Sequence, residues 1–233
     1  GTNVGDKKVV LFGNVLTMAE RILSSGSSGG NYFYRDGRTN IALTNKDSVW
    51  TGVIDNTGKL LAGEVNLWLQ NSATWNHESP SLVNGINLGG LPSPSNAHYG
   101  QYDGISHVNK LVGGNNAESS GYLYQKDGAA IDIANYSGYT TVFYEHLNSG
   151  VNASDYAAGD ITIQKAAAGS GITLVTANNN VKEDQINLVL NALAGKLTYA
   201  DYSNNPDNLD ATVKIAGGLT ADAVTVKAGS IVF

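Results

Sequence analysis

The side chains able to do acid–base or metal chemistry are few in this 233-residue sequence, and they are thinly spread. The four histidines are His77, His98, His107 and His146, and no two stand at the H-x-H or i, i+4 spacing of a metal-ligand pair. His98 and His107 share a stretch with Asp103, which would admit a metal ion, but exposed loop histidines are the simpler reading of all four. Cysteine is absent, which removes thiolate zinc sites, disulfides and a cysteine nucleophile. A lyase site on a β scaffold needs several carboxylates on one face to hold Ca²⁺, and an Arg or Lys base. Arginine occurs only as Arg21, Arg35 and Arg38; Asp36 lies between the last two, but Asp36-Gly37 reads first as a turn. A glycosidase needs two carboxylates about 5–10 Å apart. Asp132 or Asp160 would meet that only by stacking on a carboxylate of an adjacent strand, at roughly 4.8 Å. No Gly-x-Ser-x-Gly elbow occurs, and Asp155 to Asp160 lacks the repeated acidic positions of a calcium loop. The expectation is a chain without catalytic residues, metal or cofactor.

The aromatic residues offer contact chemistry instead. Tyr32 and Tyr34 fall on one face of a strand, as do Tyr122 and Tyr124, and Trp68 alternates away from Val65, Leu67 and Leu69. Outward rings of this kind could stack on sugars or anchor a protein partner, so Trp68, Tyr32, Tyr34, Tyr122 and Tyr124 are the candidate ligand contacts. The plainer reading is that the rings stack strand on strand and cover the surface. Asn45, Asn71 and Asn135 each close an apolar strand and are expected to bond turn backbone at equivalent places.

Composition bounds the partners. Charged residues make up 15% against roughly 25% in an average globular protein. Net charge is −6, and with 14 Lys and Arg the chain has too few cations to build much of the basic face that nucleic acid requires. No run of 18 apolar residues exists to cross a bilayer as a helix. Glycine (28 residues) and asparagine (26) are abundant, a turn-rich composition common in exported bacterial surface proteins. Gly1-Thr2-Asn3 reads as the start of an excised piece without a signal peptide, and Phe233 as its cut end rather than the close of a barrel strand, since Gly229 and Lys227 stand where such a strand is apolar.

Short strands dominate the elements that must position these groups. Period-2 alternation marks Val65 to Leu69, Ile131 to Ile133 and Ile161 to Ile163, and β-branched or aromatic runs mark Thr140 to Tyr144, Ile172 to Thr176, Val213 to Ile215 and Val224 to Val226. Turn signals such as Asn56-Thr57-Gly58, Asp103-Gly104, Asp127-Gly128 and Ser137-Gly138 separate them. One segment is different: Ile186, Val189, Leu190 and Leu193 follow helical spacing behind an acidic first turn, with Gly195 as the stop. This predicts a helix over about 183–194 whose apolar stripe packs on the strands. Thr17 to Leu23 reads as a second, shorter helix.

Two internal similarities point to the architecture. Leu43-Thr44-Asn45 and Trp50 match Leu69-Gln70-Asn71 and Trp75, an offset of 25 to 26 residues. Tyr32 to Asn45 matches Tyr122 to Asn135 at an offset of about 90. Imperfect repeats holding two or three short strands predict an all-β solenoid, a right-handed parallel β-helix with a short C-terminal helix, in which each coil buries its apolar face on the next. The alternative is a β-sandwich. The organisation expected is a solenoid over 1–177, with an irregular excursion near 78–118 where Pro80, Pro92 and Pro94 fall, and a C-terminal segment over 178–233 carrying the helix and short strands.

The Leu-x-Asn…Trp pattern at Leu43 to Trp50 and Leu69 to Trp75, the rhythm from Gly159-Asp160-Ile161-Thr162-Ile163 to Ile172-Thr173-Leu174-Val175, and the tail from Val181 to Thr220 resemble the passenger domains of Gram-negative autotransporters, the pertactin-like and adhesin-type group. The resemblance covers roughly residues 40–75 and 120–233. It implies a parallel β-helix exposed at the cell surface, attached to the outer membrane only through a C-terminal barrel that this sequence lacks. It also implies a role in adhesion to a host or neighbouring-cell glycan or protein, or as a stalk. The excursion and the helix depart from uniform coils. The alternative function is a β-helix enzyme acting on polysaccharide.

Overall fold

The computed structural model describes residues 7–16, 20–23, 32–35, 37–55, 63–78, 104–126, 130–147, 150–156, 159–177, 181–216, 224–227 and 230–231. The strands up to the middle of the chain are β1 (Val10–Phe12), β2 (Val15–Leu16), β3 (Glu20–Leu23), β4 (Tyr32–Arg35), β5 (Arg38–Leu43), β6 (Val49–Thr51), β7 (Ile54–Asp55), β8 (Glu64–Leu69), β9 (Thr74–His77), β10 (Ile105–Val112) and β11 (Gly121–Gln125). They are followed by β12 (Ala130–Ser137), β13 (Tyr139–Tyr144), β14 (Ile161–Ala166), β15 (Ser170–Ala177), the helix α1 (Ile186–Ala194), β16 (Leu197–Tyr199), β17 (Leu209–Ala216), β18 (Val224–Lys227) and β19 (Ser230–Ile231).

Two large sheets hold most of these strands. The first runs β1-β6-β9-β11-β13-β15-β17-β18-β19 and the second β16-β14-β12-β10-β8-β5. From β5 to β17, leaving aside β7, consecutive strands fall alternately in the second and first sheet, and each pairs in parallel with the strand one pass earlier. An antiparallel sandwich would pair its strands the other way. Antiparallel pairing is confined, among the described strands, to β17-β18-β19 and to β3-β4.

The register is that of the sequence repeat. Leu43 pairs with Leu69 and Trp50 with Trp75, so a 25- to 26-residue repeat advances the chain by one strand spacing. Inside, the two indoles stack with centroids 4.9 Å apart and planes 5° from parallel. Each indole N–H donates 2.9 Å to a glycine carbonyl one pass back, Trp50 to Gly13 and Trp75 to Gly52. The second similarity divides: Ile41 and Ile131 share a sheet, but Tyr32 to Arg35 forms a hairpin with β3 outside both large sheets.

One hydrophobic core runs between the sheets from Ile41 to Ile215, filled by the inward residues of every pass, such as Leu67, Val108, Ile133, Ile163, Val142 and Leu174. Burying each such side chain contributes about 1.5–3 kcal/mol. The helix joins it as its spacing predicts: Val189, Leu190 and Leu193 are buried and Ile186 packs partly against the core, between β15 and the strands that follow. A 3-10 turn at Glu183–Gln185 takes the first turn of the expected helix.

Two expectations need correction. The shorter helix at Thr17 to Leu23 is not formed: Glu20–Leu23 is a strand, because Tyr32–Arg35 offers it a β-prone partner, while 17–19 lie outside the described residues. The excursion expected near 78–118 ends sooner, since Ile105–Val112 is a central strand; residues 79–103, with the three prolines and His98, lie outside the described residues. The turns at Asp36, Asn56 to Gly58 and Asp127-Gly128 lie outside them too.

Candidate functional site

Because the passes stay in register, each outward position becomes a column running across the strands. The second sheet adds a local feature. In β10, β12 and β14 the in–out alternation skips at one level, so two successive residues face outward: Asn109-Lys110, Ala134-Asn135 and Gln164-Lys165. The register there is Asn66, Lys110, Asn135, Lys165. Asparagine amides knit this ledge together. Asn66 Nδ2 donates to Asn40 Oδ1 at 2.9 Å, Asn109 Nδ2 to Asn66 Oδ1 at 3.3 Å, and Asn135 Nδ2 to the Asn109 carbonyl at 3.1 Å.

The three asparagines singled out in the sequence do bond backbone of the preceding pass. Asn45 Nδ2 donates to the Lys7 carbonyl at 3.0 Å and Asn71 Nδ2 to the Thr44 carbonyl at 2.8 Å. Asn71 adopts φ 53°, a left-handed conformation that asparagine tolerates. Asn135 is not their equivalent, however. It belongs to the ledge column: the register sets it level with Lys110, Asn66 and Asn40, five residues before the level of Asn45.

Nearby on the same face, His107 Nδ1 lies 3.4 Å from Asp132 Oδ2, and Gln164 Nε2 donates to Asp132 Oδ1 at 2.7 Å. The partner of Asp132 across the next strand is Thr162, and Asp160 lies 3.8 Å from Lys196 Nζ. The carboxylate stacking considered for Asp132 and Asp160 therefore does not occur. Arg38 is bound to Glu64 at 2.6 Å, and Asp36 lies outside the described residues. Among the described residues no three His, Asp or Glu side chains gather to hold a metal ion.

Among the candidate aromatics, Trp68 is half-buried and faces outward on the second sheet, between Ala42 and Val112. Tyr122 and Tyr124 face outward on the first sheet. Tyr124 stacks on Phe143 of the adjacent strand at 4.6 Å and 14°, and Tyr122 meets the same ring edge-on at 5.4 Å. A face-to-face pair at about one strand spacing turns ring faces toward neighbouring strands and edges toward solvent. Tyr124 and Phe143 thus stack strand on strand, with Tyr122 meeting the pair edge-on. Tyr32 and Tyr34 both belong to β4, which pairs with β3 and is part of neither large sheet. The five candidates thus belong to three separate places.

The histidines depart furthest from expectation. His77 is no exposed loop residue: it is fully buried on β9, together with Ser106 of β10 and Gln125 of β11. Its Nδ1 is 2.6 Å from Gln125 Oε1 and its Nε2 2.8 Å from Ser106 Oγ, which also accepts from the Ile54 amide at 2.9 Å. With Nδ1–H donating to the amide oxygen and Nε2 accepting from the serine hydroxyl, every contact is matched by a neutral ring. Gln125 Nε2 and the Tyr144 hydroxyl both donate to the Gly159 carbonyl, at 3.1 and 3.0 Å. Serine, histidine and a third orienting group resemble an acyl-transfer relay in outline. The third group is a neutral amide, though, and serine and histidine are both sealed in the core, so the arrangement is structural. No spacing in the sequence announces it, since its members are brought together from three strands.

Two tyrosines close the interior. Burial pushes the hydroxyls of Tyr136 and Tyr144 far above the ordinary tyrosine range, with Asp160 adding to the effect at Tyr144. Tyr136 donates to the Gly171 carbonyl at 2.6 Å. In the loop after β16, the side-chain amides of Asn204 and Asn205 hold the Asp201 carboxylate at 2.8 and 2.7 Å and lower its pKa.

No family model, no curated protein and no solved structure matches this chain. Among the described residues, no helix is long and apolar enough to cross a membrane.

Proposed function

We propose that the chain is a right-handed parallel β-helix serving as a non-enzymatic, surface-exposed passenger module of the autotransporter kind, acting in adhesion or as a stalk. The observation that carries this reading is the register: one sequence repeat equals one strand spacing, in both sheets. Handedness follows from the strong bias of parallel strand crossovers. Seven strands from β1 to β17 stack in one direction, giving a rod section about 29 Å long at the usual strand spacing. A rod with aligned outward columns suits repeated weak contacts whose sum is strong. The buried His77, Ser106 and Gln125 are bonded to one another, which suits a rigid support. The polysaccharide-active alternative has one observation in its favour, the outward His107–Asp132 pair.

The test is an array of glycans and host-matrix proteins probed with the purified chain, with polysaccharide turnover read in the same wells. Binding without turnover supports the adhesive reading. Turnover of any glycan overturns it and directs attention to His107 and Asp132. Silence in both leaves the stalk.

A further inference from the structure

We propose that the ledge on the second sheet binds an anionic sugar, a uronic-acid unit of an acidic polysaccharide. This deepens the adhesive reading and rests on it only for where the ligand is met. The ledge encloses a basin of about 380 Å³, open to solvent and lined by Lys110, Asn135, Tyr136, Ser137, Lys165 and the Ala166-Ala167 pair. Three features select the ligand.

The first is charge. Lys110 and Lys165 flank Asn135 in register, so their strands stand two spacings apart, about 9.6 Å. Both are exposed, and neither ammonium makes an ion pair or hydrogen bond with a described residue. Lys165 does act at longer range on Asp201, but that carboxylate is already held by two asparagine amides. Two such cations facing one basin, in a chain of net charge −6, form a local site for anions. The second feature is the lining, which is mainly apolar: the exposed Ala167 methyl and the lysine stems can accept the C–H face of a pyranose rather than a bare inorganic ion, while the Tyr136 ring lies buried in the core beneath. The third is the polar rim. Ser137 and Asn135 are among the lining residues, so the serine hydroxyl and Asn135 Oδ1 can meet sugar hydroxyls, while Asn135 Nδ2 is held by the Asn109 carbonyl. A polyuronate, with a carboxylate on every sugar, can engage both lysines at once.

Calorimetric titration of the full chain with oligogalacturonate, dextran and dextran sulfate tests this, in wild type, Lys110→Gln, Lys165→Gln, the double variant and a control, Lys214→Gln on the other sheet. Saturable binding of oligogalacturonate but not dextran is expected. It should weaken roughly tenfold in the double variant and stay unchanged in Lys214→Gln. No oligogalacturonate binding, equal binding by the double variant, or an equal loss in Lys214→Gln would overturn the site. Dextran sulfate binding as tightly as oligogalacturonate would overturn the sugar assignment and leave general charge attraction. These outcomes are independent of the array: a chain that binds no surface could still bind the acidic oligomer, and an adhesive chain could do so without these lysines.

Discussion

His77 carries more of the fold than its place in the sequence suggests, and its removal can be worked through atom by atom. His77→Ala deprives Gln125 Oε1 of its donor and the Ser106 hydroxyl of its acceptor, both in the sealed core. Each orphaned group costs about 1–3 kcal/mol. The lost ring also packs edge-on against Trp75 at 5.0 Å, so a cavity opens as well. Together these set the destabilisation at about 4–6 kcal/mol. His77→Phe fills most of the volume but leaves the same two atoms unpaired, and should cost about 2–4 kcal/mol. Combining His77→Phe with Ser106→Ala removes one of the orphans, so the pair should cost less than the sum of the two single changes. Urea unfolding followed by far-UV circular dichroism and by tryptophan fluorescence measures each value. A loss below about 1 kcal/mol for His77→Ala, or strict additivity of the pair, would refute the network.

Three further outcomes follow from the same geometry. A Cβ added at Gly121 would strike the Leu69 carbonyl at the end of β8 in the other sheet, so Gly121→Ala should lose at least about 2 kcal/mol by denaturant unfolding, whereas Gly195→Ala, in helical backbone with ordinary contacts, should be neutral or stabilising. Tyr136 and Tyr144 stay protonated in the fold beyond the ordinary value of 10.0, so the unfolded chain releases their protons first; stability should fall above that pH by about 1.4 kcal/mol per pH unit per tyrosine, and Tyr144→Phe should lower the slope by that one tyrosine's share. The lowered Asp201 carboxyl works in the opposite range: its contribution is present above the ordinary value of 3.8 and fades as pH falls through its folded value, so Asp201→Asn should flatten the acid limb and speed amide exchange at 201–205.

The part of the fold legible in the sequence is the part fixed by periodicity. Leu43/Leu69 and Trp50/Trp75 are spaced by the repeat, and stacking places them in direct register. The apolar stripe of α1 is likewise a property of spacing alone, and Asn45 and Asn71 bond where turn chemistry predicts. What escaped depends on contacts between distant segments. Glu20–Leu23 has helix-compatible residues and becomes a strand only because β4 pairs with it. Polar His77 looks like a loop residue until Ser106 and Gln125 meet it in the core. The Lys110–Asn135–Lys165 column requires a register that skips one residue in each strand, which no local pattern reveals.

The register is therefore the claim on which both the scaffold and the ledge depend, and nuclear Overhauser contacts between backbone protons of an isotopically labelled chain test it most directly. The account predicts parallel-type contacts linking Leu67 with Leu111, Ile131 with Ile161, Val142 with Leu174 and Leu174 with Val213. It also predicts indole contacts between Trp50 and Trp75. Close Hα–Hα contacts across these strands, the mark of antiparallel pairing, would contradict the stack and with it every column drawn on its surface.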